Sequence, residues 1–114
     1  MRSELQPLRI PAGWRVTFND FFQTEPNYDE PDFEGSWWDF KEDMFQAELG
    51  DVCLDLGWYP EFKKNGNFRL VVVRSHDWTS PEITFRTTSK TEIVSKMEEL
   101  LQAYQRQTKP KPFV

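Results

Sequence analysis

Hydrophobic and polar residues alternate along Trp14-Arg15-Val16-Thr17-Phe18-Asn19, directly after the turn signal Pro11-Ala12-Gly13. A period of two places Trp14, Val16 and Phe18 on one face and predicts a half-buried β-strand. The same rule reads Val52 to Tyr59 as a strand with Val52, Leu54, Leu56 and Trp58 on one face, ended by Pro60. Between Trp37 and Leu49 two patterns compete. Met44, Phe45 and Leu49 fit a helical stripe, whereas Phe45, Ala47 and Leu49 alternate. The turn residues Gly50-Asp51 favour a β-hairpin across Gly50. After the turn signal Lys63-Lys64-Asn65-Gly66-Asn67, the run from Phe68 to Arg74 contains Leu70-Val71-Val72-Val73, as a central strand covered on both faces requires. A short strand follows from Glu82 to Thr87, with Ile83 and Phe85 on one side. Loops are marked by Pro26, Asn27, Pro31 and Gly35 in residues 24–35, and again from Asp77 to Pro81.

The pattern changes to a helical period at the C-terminal end. Ser89 is a suitable N-cap, and Glu92 three residues later completes a capping box. Ile93, Val94, Met97, Leu100, Leu101 and Tyr104 then share one face. Lys109-Pro110-Lys111-Pro112 cannot continue a helix. These elements predict an α+β fold in one domain over 1–114: a mostly antiparallel sheet of about five strands with a C-terminal helix packed on it, over about 89–106. Segments 1–9 and 107–114 read as flexible ends.

At 114 residues there is room for a single core. Five Trp and ten Phe offset a mean hydropathy of -0.72, so bulky rings carry much of that core. No N-terminal apolar region precedes Ile10, and no stretch approaches the roughly 20 apolar residues of a membrane span, which predicts a cytoplasmic protein. Cys53 has no intramolecular disulfide partner and lies among Val52, Leu54 and Leu56, as a buried, inert thiol would. A net charge of -5 speaks against direct nucleic-acid binding and against an anionic membrane surface.

Signals for catalysis are weak. His76 stands beside Asp77 in a loop, but Ser75 and Ser80 lack the strand-elbow-helix context of a nucleophile. One His and one Cys do not make an ordinary zinc site, and Asp29, Glu30 and Asp32 lack the spacing of a calcium-binding loop. Gly66 is isolated, so no phosphate loop is present. The chain reads as a non-enzyme without a cofactor.

Charge changes this picture. Residues 20–51 hold eleven acids (Asp20, Glu25, Asp29, Glu30, Asp32, Glu34, Asp39, Glu42, Asp43, Glu48 and Asp51) against Lys41 alone, so the remainder of the chain is positive. Phe21, Phe22, Tyr28, Phe33, Trp37, Trp38 and Phe40 are interleaved with them. Carboxylates steer a basic partner and rings anchor it, which makes Tyr28, Asp29, Glu30, Asp32, Phe33, Glu34, Trp37, Asp39, Glu42 and Asp43 the candidate partner-binding residues. The plain alternative is a solvated acidic loop whose rings turn inward; Trp37 and Trp38 divide between faces if that stretch is extended.

Ile10-Pro11-Ala12-Gly13-Trp14, Trp38-Asp39-Phe40-Lys41-Glu42-Asp43, Leu56-Gly57-Trp58-Tyr59-Pro60 and Phe68-Arg69-Leu70, with the capped C-terminal helix, resemble small bacterial immunity proteins of polymorphic-toxin and contact-dependent growth inhibition systems. The resemblance runs from about Ile10 to Tyr104, and its motifs are structural. It implies a cytosolic antidote that binds a cognate toxin domain, commonly a basic nuclease, as a monomer in a 1:1 complex. Two other classes stay open. One is a small ligand-binding or enzymatic domain with a pocket lined by Trp14, Trp38, Trp58 and Trp78. The other is a scaffold or oligomerisation domain with a large apolar patch.

Overall fold

The computed structural model describes residues 4–107. Five strands, β1 (Arg15–Asn19), β2 (Phe45–Leu49), β3 (Val52–Tyr59), β4 (Asn67–Arg74) and β5 (Ile83–Thr87), lie in chain order in one sheet. All four pairings are antiparallel. A short 3-10 helix (Gly35–Asp39) precedes β2, and α1 (Lys90–Gln107) packs on one face of the sheet against β4 and β5. The fold is the α+β meander with a C-terminal helix that the periodicities predict.

Register explains the core. Phe45, Ala47 and Leu49 of β2 stand opposite Leu56, Leu54 and Val52 of β3, and Leu56, Leu54 and Trp58 stand opposite Leu70, Val72 and Phe68 of β4. These residues form the helix-facing side and are buried with Ile93, Met97, Leu100, Leu101 and Tyr104 of α1. Truncating any of the fully buried aliphatic ones costs about 2–5 kcal/mol by lost transfer energy plus cavity. In the ambiguous stretch 37–49 the alternation of Phe45, Ala47 and Leu49 prevails as β2, the helical stripe Met44-Phe45-Leu49 does not form, and the short 3-10 turn ends at Asp39. The hairpin crosses Gly50, whose φ of 58° suits a tight connection.

β1 departs from its pattern. Val16 pairs with Ala47, but the register then shifts, and Phe18 pairs with Gln46. A one-residue bulge moves Phe18 to the opposite face of the sheet, away from the helix. Phe18 is exposed there, Val16 is exposed at the sheet edge, and Trp14 is buried, its indole N–H donating to the Leu101 carbonyl at 2.9 Å.

The helix start also differs in one detail. Ser89 Oγ accepts from the Glu92 amide at 3.1 Å, as a cap should. The reciprocal half comes from Thr87, whose hydroxyl oxygen accepts the Ser89 amide at 3.1 Å. Residues 4–9, read as part of a loose end, are tied down. Gln6 N–H donates to Phe21 O at 2.7 Å, Gln23 N–H donates to Glu4 O at 2.8 Å, and Arg9 N–H donates to Glu98 at 2.8 Å. The readings for 1–3 and 108–114 lie outside the described residues.

Candidate functional site

The acidic segment is fastened to the fold at three points. Lys90, a buried cation in the first turn of α1, donates to the carbonyls of Phe22 (2.5 Å) and Thr24 (2.8 Å) and sits 4.9 Å from the Phe21 ring centroid. Burial pulls its ammonium below the usual lysine range, partly offset by Glu25 and Asp39. Lys41 pairs with Asp20 at 2.9 Å. Glu30 accepts the Ser36 amide at 3.0 Å; the Ser36 side chain first, and then this amide, hold its carboxyl below the ordinary value, and its carbonyl takes the Trp37 indole N–H at 3.0 Å. Gly35 leaves room for that carboxylate, since a Cβ there would stand 1.6 Å from Glu30 Oε2.

This fastening divides the two tryptophans, although the backbone is a 3-10 turn and not extended. Trp37 is wholly buried against Phe40 and Trp58, whereas Trp38 is 52% exposed. Trp37 therefore cannot anchor a partner as the sequence suggested. Trp38 packs on Phe62 (5.0 Å between centroids) and Phe33 (6.4 Å). Tyr28 is exposed nearby, edge-on to Trp37 at 5.4 Å. Lys63 lies 5.9 Å from the Phe33 ring centroid.

The candidate acids have different duties. Asp29, Glu34, Glu42 and Asp43 are exposed. Glu30 holds the 3-10 turn, Asp32 accepts the Lys64 amide at 2.8 Å, and Asp39 accepts the Thr24 hydroxyl at 2.5 Å. The last three shape the loop as well as charging it.

Beyond Trp38 and Phe62, the chain from Phe40 to Met44 runs beside β3. Phe62 N–H donates to Phe40 O, Trp58 N–H to Lys41 O, and Met44 N–H to Leu56 O. Glu42 crosses directly over Gly57, where a Cβ would come within 2.0 Å of the Glu42 carbonyl oxygen. Its amide donates to Glu61 at 3.0 Å. Asp43 thereby reaches the sheet face opposite α1.

That face carries a cleft in two compartments that share Asp55. One, of about 190 Å³, is lined by Phe18, Asp43, Gln46 and Asp55. The other, of about 210 Å³, is lined by Asp55, Tyr59, Arg69, Val71 and Trp78. Burial, and then the neighbouring Asp43 charge, push the Asp55 carboxyl up to about 6, against the opposing pull of Gln46 and Arg69. The guanidinium of Arg69 lies 5.3 Å from the Tyr59 ring centroid, and its Nε is buried without a hydrogen-bond partner. Sequence reading missed this cleft, because the β1 bulge that delivers Phe18 to it leaves no mark in the alternation.

Elsewhere the candidate chemistry disperses. Trp14 lies under Leu101, Trp58 in the Phe40–Phe68 ring cluster, Trp38 beside Phe62, and Trp78 in the cleft, so the four indoles do not line one pocket. His76 is exposed in a left-handed turn, φ 58°. Cys53 is buried, and desolvation first, then Asp55 and Glu48, push its thiol up to about 11, where it is a poor nucleophile. Among the described residues no three His, Cys, Asp or Glu side chains are placed to hold a metal ion, and no helix is long and apolar enough to cross a membrane. Compared with known proteins, the chain matches no family model, no curated protein and no solved structure.

Proposed function

We propose that this chain is a binding protein for a basic protein partner, of the immunity type that its sequence resembles, and that it neutralises a toxin domain by covering it. The observation that carries the reading is the exposure of Tyr28, Phe33 and Trp38 within the one segment that concentrates acidic charge. Exposed large rings are costly unless used, and aromatic anchors inside a field of carboxylates suit a partner that is cationic and at least partly apolar. A nuclease domain has that character, because its groove must hold phosphates. On this reading Asp29, Glu34, Glu42 and Asp43 steer the encounter, while Phe33 and Trp38 supply the desolvated centre.

The test is association with any toxin domain found to be encoded beside this chain. Asp29→Lys, Glu34→Lys and Asp43→Lys combined are expected to slow association at least tenfold at low salt, with much less effect at high salt, and to leave the melting curve intact. An unchanged association rate removes this surface from the interface.

A further inference from the structure

We propose that the cleft on the open face of the sheet receives a basic side chain of the partner protein, an arginine or lysine that enters between Phe18 and Asp43 to reach Asp55. The identity of the occupant as a protein side chain rests on the function proposed above; the chemistry of the cleft does not.

Shape comes first. The compartment between Phe18 and Asp55 measures about 190 Å³. Sites for drug-sized ligands span roughly 300–1,000 Å³, so this one suits a single side chain. Its lining offers two carboxylates, the Gln46 carboxamide and one phenyl ring. A guanidinium or ammonium group suits this lining: two anions to pair, a ring face for the cation and its alkyl stem, and the second lone pair of the Gln46 amide oxygen, which already accepts the Thr17 hydroxyl at 3.1 Å. Arg69, the cation that acts on Asp55, lines only the second compartment.

Charge gives the second argument. Asp55 pairs in register with Gln46 of β2 and Val71 of β4 and is deprived of water by its neighbours. The charged or titratable groups around it are Asp43 before β2, Cys53 and Tyr59 on β3 and Arg69 on β4; Gln46, Val71 and Trp78 are neutral. The one cation among them leaves the carboxyl up at about 6. A cationic occupant supplies the missing charge, lowers that value, and releases a proton when it binds at pH near 6. Affinity must therefore rise as pH rises through that range.

The test uses N-acetyl-L-arginine methylamide as probe, titrated into isotope-labelled protein at pH 7.5 and pH 5 and followed by amide NMR. The norleucine analogue serves as the neutral control. Saturable shifts at Phe18, Gln46 and Asp55 are expected with the arginine probe and not with the control. Binding should be about tenfold weaker at pH 5, where a carboxyl with a pKa near 6 is ionised in roughly one molecule in ten. Asp55→Asn should weaken binding at least tenfold while melting no lower than the parent; a structural role would instead lower the melting point. Phe18→Ala, on an exposed edge strand, gives a second reading that does not disturb the core. Shifts spread over the acidic loop without saturation at the cleft, or parental affinity in both variants, overturn the proposal. Because the probe is not the partner, cleft binding without a basic partner overturns only the function above. Toxin binding without probe binding overturns only the cleft.

Discussion

The backbone N–H of Phe33 donates to the carbonyl oxygen of Phe62 at 2.9 Å, and both residues hold left-handed φ angles, 62° and 64°. For bulky side chains that conformation costs roughly 1–2 kcal/mol each, and the surrounding structure must hold it in place. Here it turns two phenyl rings toward Trp38, with Phe33–Phe62 centroids 6.1 Å apart. Phe33→Gly relieves the strain and removes a ring that is 45% exposed. The two effects oppose each other, so stability measured by denaturant is expected to change by less than about 1 kcal/mol. Partner affinity should fall about tenfold or more, because an exposed ring at the centre of an interface acts after docking. A large loss of stability with unchanged affinity would make the ring triad a structural plug.

Gly57→Ala tests the crossing that joins the loop to the cleft. The new methyl would lie 2.0 Å from the Glu42 carbonyl oxygen and 2.8 Å from the Tyr59 ring. Glu42 cannot withdraw freely, because Lys41 O accepts the Trp58 amide and Glu42 N–H is held by Glu61. A loss of at least about 2 kcal/mol in urea unfolding is expected, with an altered Asp43 environment.

How far the residues foretell this architecture depends on whether the deciding force is local. Val52 to Tyr59, Phe68 to Arg74 and the helix from Lys90 are legible because burial on one face writes its period directly into the chain. The acidic segment is legible as charge, since counting needs no coordinates. What stays hidden depends on long-range geometry. Phe18 changes face through a bulge whose only cause is pairing with β2, 27 or more residues away in the chain. Asp55 reads as an outward residue in an alternating strand, and nothing local shows that Asp43 crosses back over Gly57 to meet it. Trp37 and Trp38 are chemically identical neighbours, and only tertiary contacts distinguish them: Trp37 packs on Phe40 and Trp58 and donates to the Glu30 carbonyl.

Asp55 should also leave a pH signature in stability. Its carboxyl is raised from 3.8 in the unfolded chain to about 6 in the fold. The folded state therefore binds the proton more tightly. This contribution is fully present below pH near 4 and is lost as pH rises through 6, so ionised Asp55 opposes folding at neutral pH. Asp55→Asn is expected to stabilise the protein by about 1–2 kcal/mol at pH 7.5, after allowance for solvent screening, and to change it little at pH 4. Parallel denaturant curves at the two pH values check the sign. A variant less stable than the parent at pH 7.5 would show that Asp55 serves the fold through its charge. A carboxylate that destabilises the fold in an open cleft is what a binding role would lead one to expect.

The adjacent indoles allow fold and interface to be separated with the same chemical change. Trp37 is fully buried, touches Tyr28, Phe40 and Trp58, and donates its N–H to Glu30 O. Trp37→Ala removes that packing and leaves a carbonyl unsatisfied, so a loss of about 3–5 kcal/mol is expected, a large part of the stability of a domain this size. Trp38 rests on Phe33 and Phe62 with half of its surface in water. Trp38→Ala should cost clearly less than Trp37→Ala, about 1–3 kcal/mol in thermal or urea unfolding, because half of its surface stays in water. If the ring patch is the centre of the interface, the same substitution lowers partner affinity at least tenfold, mainly through faster dissociation, while charge reversal at Asp29 and Glu34 acts on association. Trp38→Ala with a parental dissociation rate would exclude the patch and leave electrostatics alone to explain binding.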